Sequence, residues 1–199
     1  MPVPIIYRKS QEGAIVTYDY VDLAEGTGII AINAAQVNIS GSSLFILNRN
    51  ALYSAAIEML VDGSAGGGAS VTNNFNLSSF NLPRTAQGTA LINFSAINLG
   101  STLDIKFTLQ RVRGSVVTDL GFEWMQRMTG AVALTHLIPI TIPKTIFKKG
   151  DILRLAVYMF ATGGISYVGI DPQNRNGTHF TAATNPTKMT IYMPWRIDQ

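Results

Sequence analysis

The 199-residue sequence predicts an all-β fold, a double-sheet antiparallel sandwich of the jelly-roll type, on three observations. Apolar and polar residues alternate at period 2 in several segments, as they do in strands with one buried face and one wetter face. Gly, Asn and Ser turns, such as Ser40-Gly41-Ser42, Lys149-Gly150-Asp151 and Asn176-Gly177, punctuate these short segments. A hydrophobic content of 47% can fill one sizeable core, and the length suits a single β domain.

Residues 1–12 are expected to form an extended arm and residues 13–199 a single jelly-roll domain. Pro2 and Pro4 remove backbone donors and favour an extended path, and Val3, Ile5, Ile6 and Tyr7 give the arm an apolar run suited to a neighbouring subunit. Ala14–Tyr20, Ile29–Asn33 and Leu44–Leu47 read as strands. Ala51–Leu60 fits neither period cleanly; we assign it to a strand because its surroundings are β-rich and it is short for an independent helix. Gly63–Ser70 reads as a flexible loop.

Thr89–Asn98 is the next strand. Leu103, Ile105, Phe107 and Leu109 then alternate with Asp104, Lys106, Thr108 and Gln110. Val132, Leu134, Ile138, Ile140 and Ile142 share one parity, interrupted on that face by His136. Ile152–Phe160 and Ile165–Ile170 are predicted strands, and several of the predicted strands are apolar on both parities, as central strands are. Met189, Ile191, Met193, Trp195 and Ile197 close the pattern, alternating with Lys188, Thr190, Tyr192, Pro194 and Arg196. The shared parity places Leu103, Phe107, Val132, Ile140, Ile191 and Trp195 in one inter-sheet core.

Charged residues make up 14% of the chain, against roughly 25% in ordinary soluble domains. The surface is instead made polar by amides and hydroxyls, which are easier to desolvate, and low charge is a property of interface cores. The net charge is only +3, and the basic groups Arg8-Lys9, Arg111 with Arg113, and Lys144 with Lys148-Lys149 are separated by strand-like sequence. No nucleic-acid groove is expected. The absence of cysteine excludes disulfides, cysteine zinc sites and thiol catalysis. Met1–Lys9 has the reverse of a signal peptide's charge order, and no stretch approaches a membrane helix, so we expect a soluble protein made in a cytoplasm, with no membrane partner.

Catalytic chemistry finds little support. His136, on an apolar parity, reads as a hydrogen-bonded core or interface histidine, and His179 as a solvated loop residue. No Gly-x-Ser-x-Gly elbow is present, and the carboxylates are scattered. Asp171–Gly177 fails the offsets of a calcium loop, and Gly63–Ser70 lacks the Gly-Lys-Ser/Thr ending of a phosphate loop. We therefore assign no catalytic, cofactor-binding or metal-binding residue, and expect no enzyme and no cofactor. Tyr18, Tyr20, Phe94, Phe107, Phe122, Trp124, Tyr158, Phe160, Tyr167, Tyr192 and Trp195 could offer a sugar-stacking platform, but core packing accounts for most of them.

The opening run from Pro4 to Gly28, the stretches Phe80–Ala90 and Phe147–Leu155, and the closing Pro186–Asp198 together resemble uncharacterised virion structural proteins of tailed bacterial or archaeal viruses, of the capsid-decoration or minor-capsid kind. The resemblance implies a jelly-roll virion subunit, synthesised in the host cytoplasm, that self-associates, for instance as a trimer, and packs against other virion proteins. It brings no site residues with it. The alternative is a glycan-binding jelly-roll module on a viral fibre or tail. Exposure of Trp124 or Tyr167 beside a carboxylate would favour the glycan module; a large apolar subunit interface would favour the shell.

Overall fold

A computed structural model describes residues 27–181 and 184–196 and places twelve strands among them, with no α-helix. They are β1 (Thr27–Ile39), β2 (Ser42–Asn48), β3 (Glu58–Asp62), β4 (Ala69–Leu77), β5 (Arg84–Asn98), β6 (Thr102–Arg113), β7 (Val116–Trp124), β8 (Met128–Thr129), β9 (Val132–Phe147), β10 (Ile152–Thr162), β11 (Ile165–Gly169) and β12 (Thr190–Arg196). The expected arm over residues 1–12, the expected strand Ala14–Tyr20 and Ile197 lie outside the described residues.

One layer is ordered β9-β5-β12-β1 and the other β4-β10-β6-β7, with every neighbouring pair antiparallel. If these principal strands are numbered one to eight along the chain, the layers read first-eighth-third-sixth and second-seventh-fourth-fifth. That interleaving defines a jelly roll. β2 extends the first layer beside β1, and β11 with β3 continues it beyond the end of β12 along β5. The layers join at a seam where β2 and β4 run parallel through Ile46↔Asn76 and Leu47↔Leu77. At the opposite seam β7 approaches β9 so closely that a Cβ on Gly121 would come within 2.5 Å of the Thr141 carbonyl oxygen, which is why glycine stands there.

The core lies between the layers. Leu103, Phe107, Ile140, Ile191 and Trp195 are buried in one cluster, with Val132 packed against it, as the shared parity predicts. Phe94 of the first layer meets Phe107 of the second at 4.6 Å between ring centroids, and Trp195 packs against Phe80 and Phe147, each at 5.4 Å. Leu134 departs from the pattern: it shares the apolar parity of β9 but is exposed at the end of the sandwich.

Two local expectations are corrected. Of Ala51–Leu60, only Glu58 onward is strand; the preceding residues cross β1, with Ala55 N–H donating to the Gln36 carbonyl and Gln36 N–H donating to Ser54 Oγ. Those bonds occupy backbone groups that a continuing ladder would need. Of Gly63–Ser70, Ala69 and Ser70 already belong to β4, and the turn before them is pinned at its base, where Gly63 N–H donates to the Gly164 carbonyl and Gly163 N–H donates to that of Gly63.

The β9–β10 corner is fixed by Asp151, which is buried and accepts both Nε (2.8 Å) and a terminal nitrogen (2.6 Å) of Arg113, together with the Lys148 N–H. The Arg113 hydrogen bonds, with a smaller contribution from Lys148 N–H and the charges of Arg113 and Arg111, hold its carboxyl below the usual carboxylate range against the opposing effect of burial. A carboxylate depressed in the folded state contributes stability that is complete above its unfolded value and lost as pH falls through its folded value. Asp151→Asn is therefore expected to be destabilising at neutral pH and to flatten the loss of stability below about pH 4, as read from urea midpoints across that range.

Candidate functional site

The second layer turns a composite face outward. On β6 and β10 the inward positions are Leu, Ile, Phe, Val and Met, so the alternate positions Asp104, Lys106, Thr108, Gln110, Arg154, Ala156, Tyr158 and Phe160 face away from the core. Register extends each row across the layer. Thr72, Tyr158, Lys106 and Trp124 form one row; Asn74, Ala156, Thr108 and Phe122 the next; Asn76, Arg154, Gln110 and Asp119 the third. With strands about 4.8 Å apart, the face is roughly 15 Å wide.

Its β7 edge is aromatic. Phe122 is 54% and Trp124 45% exposed, and Lys106 Nζ lies 4.2 Å from the Phe122 ring centroid and 5.8 Å from that of Trp124. Trp124 meets Tyr158 edge-on at 6.0 Å. Hydrogen bonds orient the polar border: Arg154 Nε donates to Asn76 Oδ1, Gln110 Nε2 to Asp119 Oδ1, and Arg127 forks onto Asp104. Of the aromatics weighed as a stacking platform, Phe94, Phe107 and Trp195 are buried, as core packing predicts, whereas Phe122 and Trp124 are displayed.

The histidines differ from expectation. His179 is not free in solvent: its Nδ1 lies 2.7 Å from Glu58 Oε1, and its ring stacks on Tyr167 at 3.8 Å. Burial, followed by the charges of Glu58 and Asp62, pushes the Tyr167 phenol up. This set joins a strand end to a loop 121 residues away, a partnership that a lone histidine cannot announce in sequence. No hydroxyl among the described residues hydrogen-bonds that imidazole, so the pair lacks an aligned nucleophile. His136 stacks on Phe94, but its Nε2 is buried without a hydrogen-bond partner, and burial pulls its pKa down. It lines a cleft of about 290 Å³ with Arg127, Thr129 and Leu134. No group of three or more potential metal ligands occurs among the described residues.

No known family model matches the chain, and no curated protein matches it. Solved structures do share the fold. An α-amino acid ester hydrolase superposes with a TM-score of 0.60 at 10% identity, over 84% of this chain and 36% of that one. An aminopeptidase from the marine sediment archaeon Thaumarchaeota archaeon gives 0.53 at 11% identity, over 83% and 37%, and a CocE/NonD family hydrolase from Staphylococcus aureus gives 0.52 at 11% identity, over 82% and 36%. The chain thus spans about a third of the length of these enzymes, and the likeness is one of β-sandwich fold.

Proposed function

We propose that this chain is a non-catalytic jelly-roll recognition module whose β4-β10-β6-β7 face takes a glycan, on a viral fibre or tail. The observation that carries this reading is the exposure of Trp124 and Phe122 on a face shared with the carboxylates of Asp104 and Asp119 and the amides of Asn74, Asn76 and Gln110. Sugar rings combine apolar C–H faces with hydroxyls, so they suit flat aromatic surface bordered by a few fixed donors and acceptors. Tyr167, buried beneath His179, takes no part.

The test is a glycan array followed by calorimetry on the strongest ligand. Trp124→Ala is expected to weaken binding at least about tenfold, equivalent to about 1.4 kcal/mol, as an aromatic anchor does, while leaving the thermal midpoint nearly unchanged. Unaltered affinity in that variant, or no glycan bound anywhere on the array, would overturn the reading.

A second reading, a capsid-decoration or minor-capsid subunit, draws support from the outer face of the first layer. There Pro139, Leu91, Tyr192 and Ala31 lie in one row, next to Leu137, which is 58% exposed. A row of this kind is suited to burial against a neighbouring subunit. Light scattering separates the readings: a stable homo-oligomer favours the shell, a monomer that binds glycan favours the module.

A further inference from the structure

β2 and β4 run together for two residue pairs and part beyond Leu47 and Leu77. Between them opens a cleft of about 380 Å³, lined by Arg49 and Arg84 together with Asn48, Asn50, Ser78 and Ser79. No acidic side chain lines it. Arg113, Arg127 and Arg175 each pair with a carboxylate, and Arg111 and Arg154 donate to the Ile146 carbonyl and to Asn76 Oδ1, whereas neither Arg49 nor Arg84 has an ion pair among the described residues. Burial, then the charge of Arg84, holds the Arg49 guanidinium below its usual range, the response of a cation that is partly desolvated and faces a like charge.

We propose that this cleft binds an oxyanion, held between the two guanidinium groups, with the neighbouring amides and hydroxyls completing its hydrogen bonds. Guanidinium presents a planar fork of donors that matches the oxygens of a carboxylate, sulfate or phosphate, and a bound anion cancels the repulsion between the arginines. The anion can arrive free or as the acidic group of a saccharide. The site lies beyond the aromatic face and does not depend on glycan binding there, although Asn76 of that face directly precedes Leu77 of the cleft.

Calorimetry on the full chain with inorganic phosphate, with a galacturonic acid trisaccharide and with a neutral galactose trisaccharide tests the proposal. At least one of the two anionic probes is expected to bind with a Kd on the order of 1 mM or tighter, to raise the thermal midpoint and to weaken with added salt. Tighter binding of the trisaccharide than of phosphate identifies a sugar carboxylate; the reverse identifies a free anion. The double variant Arg49→Gln/Arg84→Gln should lose this binding, and Trp124→Ala should keep it, so failure here is distinct from failure of the aromatic face. Arg49→Lys keeps the charge but not the fork, and should bind several-fold more weakly even if the double variant does not fold. Absence of saturable binding of either anion, or binding equal to wild type in both Arg49→Lys and the double variant, would overturn the proposal.

Discussion

Phe107→Ala is expected to lower stability by about 3–5 kcal/mol, the cost of removing a buried aromatic ring and leaving a cavity behind. Phe107 is fully buried on β6, which lies between β10 and β7, and its ring reaches across the sandwich to Phe94 of β5. The side chain therefore binds one layer to the other, and neighbouring strands hold their backbones too firmly to close the gap. For a domain of this size the loss corresponds to a fall in thermal midpoint of about 6–20 °C. Urea unfolding should show a lower midpoint at unchanged slope. Phe122→Ala removes the same ring from the exposed face and should cost well under about 1 kcal/mol. Equal losses in the two variants would show that the inward and outward faces are wrongly assigned.

That contrast also shows where the sequence is legible. On β6, β10 and β12 the apolar parity is the buried parity, because each strand stays in register with its neighbours through the core. β7 is harder to read. Leu120, Phe122 and Trp124 share one parity, yet Leu120 is buried and the two aromatics are exposed. The register shifts between Leu109 and Gln110 of β6, where Leu120 is the extra residue, and such a bulge moves the residues on either side of it to opposite faces. Parity alone would send Phe122 and Trp124 into the core. β4 is hidden for a different reason: its outward residues Thr72, Asn74 and Asn76 alternate with inward Val71, Asn73 and Phe75, and Asn73 breaks the apolar run.

The candidate face is less legible than the core because it is assembled from four strands spread between Ala69 and Thr162. Each strand contributes ordinary residues, and only the register places Asn74, Thr108 and Phe122 in one row. The Arg49 and Arg84 cleft is similar. Its two cations come from the end of β2 and the start of β5, and they meet only because the jelly-roll connections bring both to the same seam.

Asp171→Ala should produce the other large loss, about 3 kcal/mol, and should loosen the segment between β11 and β12. Asp171 is fully buried and accepts Arg175 Nε at 2.9 Å, the Arg175 backbone N–H at 2.8 Å and the Gln173 N–H at 3.3 Å. Arg175 passes the connection on: it donates to the Ser54 carbonyl at 2.6 Å and lies 4.2 Å from the Tyr53 ring centroid. Nearby, Asn174 holds a left-handed conformation with φ of 55° and accepts the Thr187 N–H, which ties the two ends of the segment together. Removing the carboxylate strands a guanidinium and two backbone donors, a cost in the range seen when a buried ion pair is broken; Arg175 keeps some access to water, so the low end of that range applies. Arg175→Ala leaves a buried carboxylate with only backbone donors and is expected to cost at least as much. Because the two residues form one unit, the double variant should cost less than the sum of the singles by about 2 kcal/mol. Limited proteolysis provides the structural readout: cleavage within residues 172–178 should appear in Asp171→Ala at temperatures well below global unfolding. Additive losses in the cycle, or a segment as resistant as that of the wild type, would mean that the loop is held by its other contacts and not by this ion pair.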